Sequence, residues 1–455
     1  MGTRLGLGEI LLRALPAREK GDVVSAALFW FRNDLRLADN AALRAATMAA
    51  QPLFPVYVHD PTQHMATRWG FPRTGIHRRR FLADTLEGLA RRLRAIGSDL
   101  AQIEGRPRDA LTALAHEVGA AVIYAEEIAA PEEQHEVAAL RERGLDVRTT
   151  WQSSLLEPED LPFAIPDLHD MFTVFRQRVE KAGVMPRAPL PAPESLGPLP
   201  KASSTEHVPP RPTPEALVDD RSSFPYFSEA FAGGETAATQ HLDQYFARGL
   251  AHSYKATRNG LTGIDVSSKL SPWLASGALS ARTAYAALKK FEAERGANDS
   301  TYWLWFELLW RDHFRFLHLK YGRRLYRARG LNEAAATPPH DTEAFARWRE
   351  GQTGEPLIDA GMRELAATGY LSNRMRQIVA SYLVNELACD WRAGAAWFES
   401  QLLDFDIHSN QGNWLYIAGR GTDPRGGRRF NPQKQATDHD PNGTYRTLWS
   451  RDEKS

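Results

Sequence analysis

Up to about residue 150 the chain alternates short apolar runs with amphipathic stretches, and beyond about residue 226 it does not. This change of period constrains the fold more than any other feature. The runs VVSAALFWF (23–31), PLFPVYV (52–58), DLAQIE (99–104), AAVIYA (120–125) and LDVRTT (145–150) have the length and apolar content of buried strands. Between them, 41–50, 75–97, 107–118 and 131–143 repeat apolar positions every three to four residues and read as helices. Parallel strands need crossover helices, so the order predicts a Rossmann-like α/β domain over 22–155, its parallel sheet covered on both faces. No G-x-G-x-x-G or P-loop follows any strand, so a dinucleotide at the usual end of such a sheet is not expected.

Ten prolines fall between 186 and 214. Proline fixes φ and removes a backbone donor, so this stretch is neither helix nor inner strand. The segment 156–225 is read as an interdomain linker wrapped over a surface. Beyond it the pattern is helix upon helix, at 234–249, 271–292, 300–320, 342–350, 356–368, 373–389 and 392–404. An all-α domain over 226–450 is therefore expected, in keeping with two domains for 455 residues.

Composition narrows the function. The 56 basic and 56 acidic residues cancel, which argues against indiscriminate nucleic-acid binding but leaves room for a local basic face. The single cysteine, Cys389, excludes an intramolecular disulfide and fits a reducing cytosol, so a cytoplasmic location is expected. No apolar run approaches membrane-spanning length, and Glu9 and Arg13 make the N-terminus a poor secretory signal. Nine of the twelve tryptophans lie after residue 250, which points to aromatic chemistry or stacking there, or to a merely tryptophan-rich core.

The helical part carries four informative stretches. In VSSKLSPWLASGALSAR (266–282) three serines and a lysine precede a helix, as a phosphate cradle would require. A plain N-cap with Pro272 at the first position explains Ser271 equally well. In YWLWFELLWRDHFRFLHLKYGRR (302–324), Glu307, Trp310, Arg311 and Phe314 share one side, and unpaired Glu and Arg seldom enter a plain core. GYLSNRMRQIVASYLVNELACDWRAGAAWFE (369–399) places Asn373, Arg374, Arg376 and Gln377 on the first turns of a helix. DFDIHSNQGNWLY (404–416) sets two carboxylates, an amide and two aromatics in thirteen residues. It is either a solvated loop or a site.

Taken together these stretches resemble the photolyase/cryptochrome family, and within it the DASH-type cryptochromes. LFWFRNDLRLADNAAL (28–43) looks like the family's opening strand and turn, and KLSPWLASGALSAR, FELLWRDHFRF, NRMRQIVASYLVNELACDWRAGAAWFE and DFDIHSNQGNWLYIAGRGTDPR follow in the family's order. The DASH assignment rests on ELLWRD, on GTDPR…RRFN, and on Tyr416 where other photolyases carry a second tryptophan.

The resemblance implies that the all-α domain binds FAD. Tyr254 and the run Ser267, Ser268, Lys269, Leu270 and Ser271 would hold its phosphates. Asp404 would pair with Arg376 beside the flavin, and Asp406 would accept from the flavin imide or ribityl region. Glu307, Arg311, Phe405 and Asn410 complete the expected cofactor set, with Asn410 at flavin N5. Glu307 and Asn373 would contact a cyclobutane pyrimidine dimer flipped out of DNA. Trp310 and Tyr416 would wall its pocket, with Arg374 and Gln377 nearby. The smaller Tyr416 returns less stacking energy, which favours single-stranded DNA, where flipping costs least. Arg311, Arg315, Lys320, Arg323, Arg324, Arg327, Arg329 and the RGGRR at 425–429 would form a phosphate-contacting rim.

Trp414 and Trp391 match the inner and middle tryptophans that reduce the flavin in relatives. The outer one is expected ten residues before Trp348, and that position is Pro338. Either the path ends at Trp391, another aromatic such as Trp397 or Tyr382 substitutes, or photoreduction is slow. Glu127 falls where DASH-type members hold an antenna, methenyltetrahydrofolate, though a solvated helix cap fits it as well. The expected activity is light-driven dimer repair by a monomer acting on single-stranded DNA, with no membrane partner and no metal. A blue-light photoreceptor is the alternative. The sequence stops with YRTLWSRDEKS (445–455), which favours repair, since sensors often carry long tails. A metal-binding DxD at Asp404 and Asp406 is a third reading, for which no further oxygen ligands are evident.

Overall fold

The computed structural model describes residues 26–49, 52–200, 202, 218–423 and 426–450. The N-terminal leader reading, the first three residues of the first expected strand, the linker residues 203–217 and Arg425 lie outside them.

Five strands, β1 (Ala26–Phe31), β2 (Leu53–His59), β3 (Ala101–Glu104), β4 (Ala120–Glu126) and β5 (Asp146–Thr150), form one parallel sheet in the order β3-β2-β1-β4-β5. The connecting helices are α1 (Ala41–Met48), α2 (Ile76–Ala95), α3 (Pro107–Val118) and α4 (Pro131–Glu142). Successive residues of β1 point to opposite faces. Ala27, Phe29 and Phe31 pack under α1 and α2 with Leu43, Leu86 and Leu93. Leu28 and Trp30 pack under α3 and α4 with Leu111 and Leu140. Burial on both faces explains why the strand reads as a continuous apolar run.

The stretch read as a linker carries a helix of its own, α5 (Phe172–Lys181), whose Phe172, Phe175 and Val179 are buried against the helical part. Its described proline-rich residues, 186–200, lie over the sheet domain, with the Leu190 and Leu196 amides donating to Asp39 Oδ1 and the Ile96 carbonyl.

The remainder is helical: α6 (Glu235–Ala247), α7 (Tyr254–Thr257), α8 (Ser271–Ser276), α9 (Ala281–Arg295), α10 (Asp299–Tyr321), α11 (Thr342–Arg349), α12 (Pro356–Thr368), α13 (Asn373–Asn385), α14 (Trp391–Gln401), α15 (Ile407–Ile417), α16 (Pro432–His439) and α17 (Thr444–Leu448). The helix expected over 271–292 is two helices. Gly277 stands between them with φ of 72°, and a Cβ there would come within 1.8 Å of the Asn33 carbonyl oxygen of the sheet domain. The chain must turn where the domains touch, and Ser280 restarts the helix by accepting from the Thr283 amide. The stretch 373–389 ends early, at Asn385, and 404–416 is helical from Ile407 because Asp406 caps it through the Ser409 amide.

The two domains are joined by buried polar contacts. Glu235 accepts from the Leu37 and Ala38 amides, Asp312 on α10 accepts from the Leu155 and Leu156 amides, and Arg282 pairs with Asp39 and Glu157.

Candidate cofactor and nucleic-acid site

A cavity of 450 Å³ opens between α10, α13, the 267–271 loop and α15. Its lining contains Tyr254, Ser267 to Ser271, Glu307, Trp310, Arg311, Asn373, Arg374, Arg376, Gln377, Asp404 and Tyr416, so the structure brings these expected site residues together.

The deep end is polar. Ser267 and Lys269 have φ of 68° and 57°, a left-handed backbone uncommon for such residues. Lys269 is buried over the Tyr370 ring, and burial pulls its amine down to about 8. Arg376 donates to Asp404 Oδ2 at 2.8 Å and to the Leu371 carbonyl at 2.9 Å. Asp404 Oδ1 is buried with no hydrogen-bond partner among the described residues.

Glu307 pairs with Arg258, not with the neighbouring Arg311. Burial raises the Glu307 carboxyl, against the opposing pull of the Arg258 guanidinium. Arg258 has no expected role in the sequence reading, since nothing in the sequence ties it to a partner 49 positions away. Arg311 instead donates to the Ser153 and Leu274 carbonyls, which face it from the sheet domain and α8.

The outer part of the cavity is aromatic. The Trp310 and Tyr416 rings stand 6.4 Å apart at 72°. Behind Trp310 the Phe172 ring stacks at 3.8 Å and 14°, so α5 fixes the wall's orientation. Arg428 lies 4.8 Å over Tyr416, and Arg374 donates to Asn259 Oδ1 at 3.1 Å.

Several expected site residues are placed elsewhere. Asp406 lies behind the cavity, pairing with Arg315 and capping α15; burial alone would raise its carboxyl, but Arg315 and Arg311 outweigh that and hold it well below the ordinary range. Asn410 donates to the Ala395 carbonyl at 3.1 Å, and with Phe405 it lines a second cleft of 440 Å³ shared by Trp391 and Trp69. The pitch of α15 accounts for this, since Ser409, Asn413 and Tyr416 are the residues it turns toward the first cavity. Trp414 is buried against Gly394 and Phe398 and does not line the cavity. Of the expected phosphate rim, Arg315 is buried, Arg311 is held at the cavity wall by the Ser153 and Leu274 carbonyls, and Lys320 is tied to Asp170 and the Leu168 carbonyl. Arg323, Arg324, Arg327 and Arg329 are exposed. Glu127 borders a void of 10 Å³, about one water, lined also by Trp151 and Ile128. Asp404 and Asp406 each pair with a different arginine, and among the described residues no group of three or more potential ligands could hold a metal.

The family model described as DNA photolyase matches residues 27–194, and the one described as the FAD binding domain of DNA photolyase matches 303–452. A cryptochrome DASH of Gloeobacter violaceus is 46% identical over 431 residues, 93% of this chain and 85% of that protein. This chain belongs to the photolyase/cryptochrome family, among its DASH-type cryptochromes. A cryptochrome DASH of Xenopus laevis is 45% identical over 429 residues, 92% of this chain and 81% of that protein. The crystal structure of a Synechocystis cryptochrome superposes with a TM-score of 0.89 at 44% identity, covering 94% of this chain and 89% of that one. A class III photolyase from Agrobacterium tumefaciens superposes at 0.78 with 30% identity, covering 94% of this chain and 87% of that one.

FAD is the cofactor of this family's helical domain, and the cavity fits it. The unpartnered Asp404 oxygen offers an acceptor to a ring N–H, and the left-handed backbone at Ser267 and Lys269 turns a loop rich in hydroxyls and amides inward. Among the described residues no helix is long and apolar enough to cross a membrane.

Proposed function

We propose that this chain is a blue-light-dependent flavoprotein that opens cyclobutane pyrimidine dimers, preferentially in single-stranded DNA, as a monomeric cytoplasmic carbon–carbon lyase. The reading rests on one observation. A single cavity carries a polar, flavin-compatible depth at Asp404, Arg376 and Ser267 to Ser271, and an aromatic wall at Trp310 and Tyr416 against which flipped bases can pack.

Held by Asp404, Arg376 and the 267–271 loop, a reduced flavin would supply the light-driven one-electron chemistry that opens the dimer ring. The chain's own groups do the rest. Tyr254 and the 267–271 loop hold the diphosphate, and the Arg376–Asp404 pair holds the flavin ring. Trp310 and Tyr416 flank the dimer and exclude water. Arg258, Arg374 and Arg428 stand around the cavity and meet backbone phosphates. A phosphate drawing Arg258 away leaves the half-buried Glu307 unpaired, so its carboxyl takes a proton and donates it in a hydrogen bond to a dimer carbonyl. Asn373 provides a second polar contact.

Glu307→Ala tests this reading. The yield of dimer splitting per absorbed photon falls several-fold, while dimer affinity changes less and FAD content stays near wild type. An unchanged yield would remove Glu307 from the mechanism; joint loss of flavin and stability would make it a structural partner of Arg258.

A further inference from the structure

The reading above needs electrons to reach the flavin, and Pro338 stands where the outermost donor of that path was expected. Trp414 and Trp391 are 2% and 1% exposed, so neither meets a reductant in solution. They are coupled through α14. The Trp414 ring packs so closely on Gly394 that a Cβ there would sit 2.2 Å from it, and Trp391 lies one turn earlier on the same helix.

Trp391 also lines the 440 Å³ cleft between the two domains, and the other tryptophan on that cleft is Trp69, from the loop between β2 and α2. Trp69 is partly exposed, and its ring meets the His340 ring edge-on at 5.0 Å. His340 is two residues from Pro338, so an indole from the sheet domain occupies the neighbourhood that the helical domain leaves without one. The two other candidates lie off the cleft. Trp397 packs against Phe71 with its indole nitrogen buried and unpartnered among the described residues, and the half-buried Tyr382 packs against the core of the helical domain.

We propose that Trp69 is the terminal electron donor of a Trp414–Trp391–Trp69 path, supplied in place of the tryptophan absent at position 338. Trp414 gives one electron to the photoexcited flavin, Trp391 refills Trp414, and Trp69 refills Trp391. Trp69 ends one electron short. Arg68, whose guanidinium lies 4.4 Å over the ring, disfavours a second positive charge there and speeds loss of the indole proton to water. A soluble thiol then returns one electron and one proton to Trp69, and two such events join two thiols as a disulfide. The proposal rests on the flavoprotein reading and adds the residue through which the electron enters.

Flash photolysis of the oxidised holoprotein tests it, read as the lifetime of the neutral tryptophan radical and the extent of flavin reduction with added thiol. Trp69→Phe loses the long-lived radical and the thiol-dependent reduction; Trp397→Phe and Tyr382→Phe keep both. Pro338→Trp in the Trp69→Phe background restores them. A wild-type radical lifetime in Trp69→Phe overturns the assignment of Trp69, provided Trp391→Phe abolishes the radical. If Trp391→Phe leaves it intact, or the wild-type protein carries no flavin, the underlying reading falls and the proposal with it.

Discussion

Arg258 and Glu307, 49 positions apart, meet in an ion pair on the wall of the cavity that joins the flavin depth to the aromatic mouth. The pair sets the charge of the one carboxyl that borders the expected substrate, and its response to pH is calculable in sign.

A carboxyl whose folded pKa lies above its unfolded value favours folding at low pH and loses that contribution as pH rises through the folded value. Burial raises Glu307 while Arg258 opposes the rise. Arg258→Gln removes the opposition, so the folded value climbs and the variant loses stability toward neutral pH, by at most about 1.4 kcal/mol per pH unit. Melting of the flavin-free protein from about pH 5 to about pH 8 checks this. The midpoint falls more steeply in the variant, and parallel profiles would show that Arg258 does not control the Glu307 proton.

Asp404→Ala leaves Arg376 without its carboxylate in a largely buried setting, a change that costs about 3–5 kcal/mol when one member of a buried pair is removed. The variant purifies with far less FAD, measured as the ratio of flavin to protein absorbance. Wild-type flavin content would contradict the role assigned to the pair.

Trp391→Phe blocks photoreduction of oxidised flavin and leaves dimer splitting by chemically reduced protein near wild type. Loss of both would mean that Trp391 supports the fold or the substrate rather than the electron path.

Phe172→Leu keeps an apolar filler behind Trp310 but removes the flat ring stacked on it at 3.8 Å. Dimer affinity drops several-fold with FAD content unchanged, read by titration of a dimer-containing oligonucleotide. Equal affinity would show that Trp310 holds its orientation without α5.

Much of the sheet domain was legible because its period follows from local burial. β1 is covered on both faces and reads as an unbroken apolar run, and α3 was readable over 107–118, the bounds it has. What failed depended on contacts distant in sequence. Nothing near Gly277 announces the Asn33 carbonyl that forces α8 and α9 apart. The DFD motif shows two carboxylates two residues apart, yet Asp406 caps α15 and pairs with Arg315 behind the cavity while Asp404, just before it, lines the cavity. Arg315, expected on the phosphate rim, is buried because Asp406 and the Arg311 carbonyl, the former 91 positions away, bind its guanidinium. Trp69 belongs to no recognised motif, since the rings it meets, His340 and Phe345, come from the other domain.

The central claim is repair, and it is tested most directly by mixing reduced holoprotein with dimer-containing single-stranded and duplex oligonucleotides under blue light and in the dark. The account predicts dimer loss that requires light, faster on the single strand than on the duplex. A protein that carries its full complement of FAD and removes no dimer from either substrate under light would contradict it.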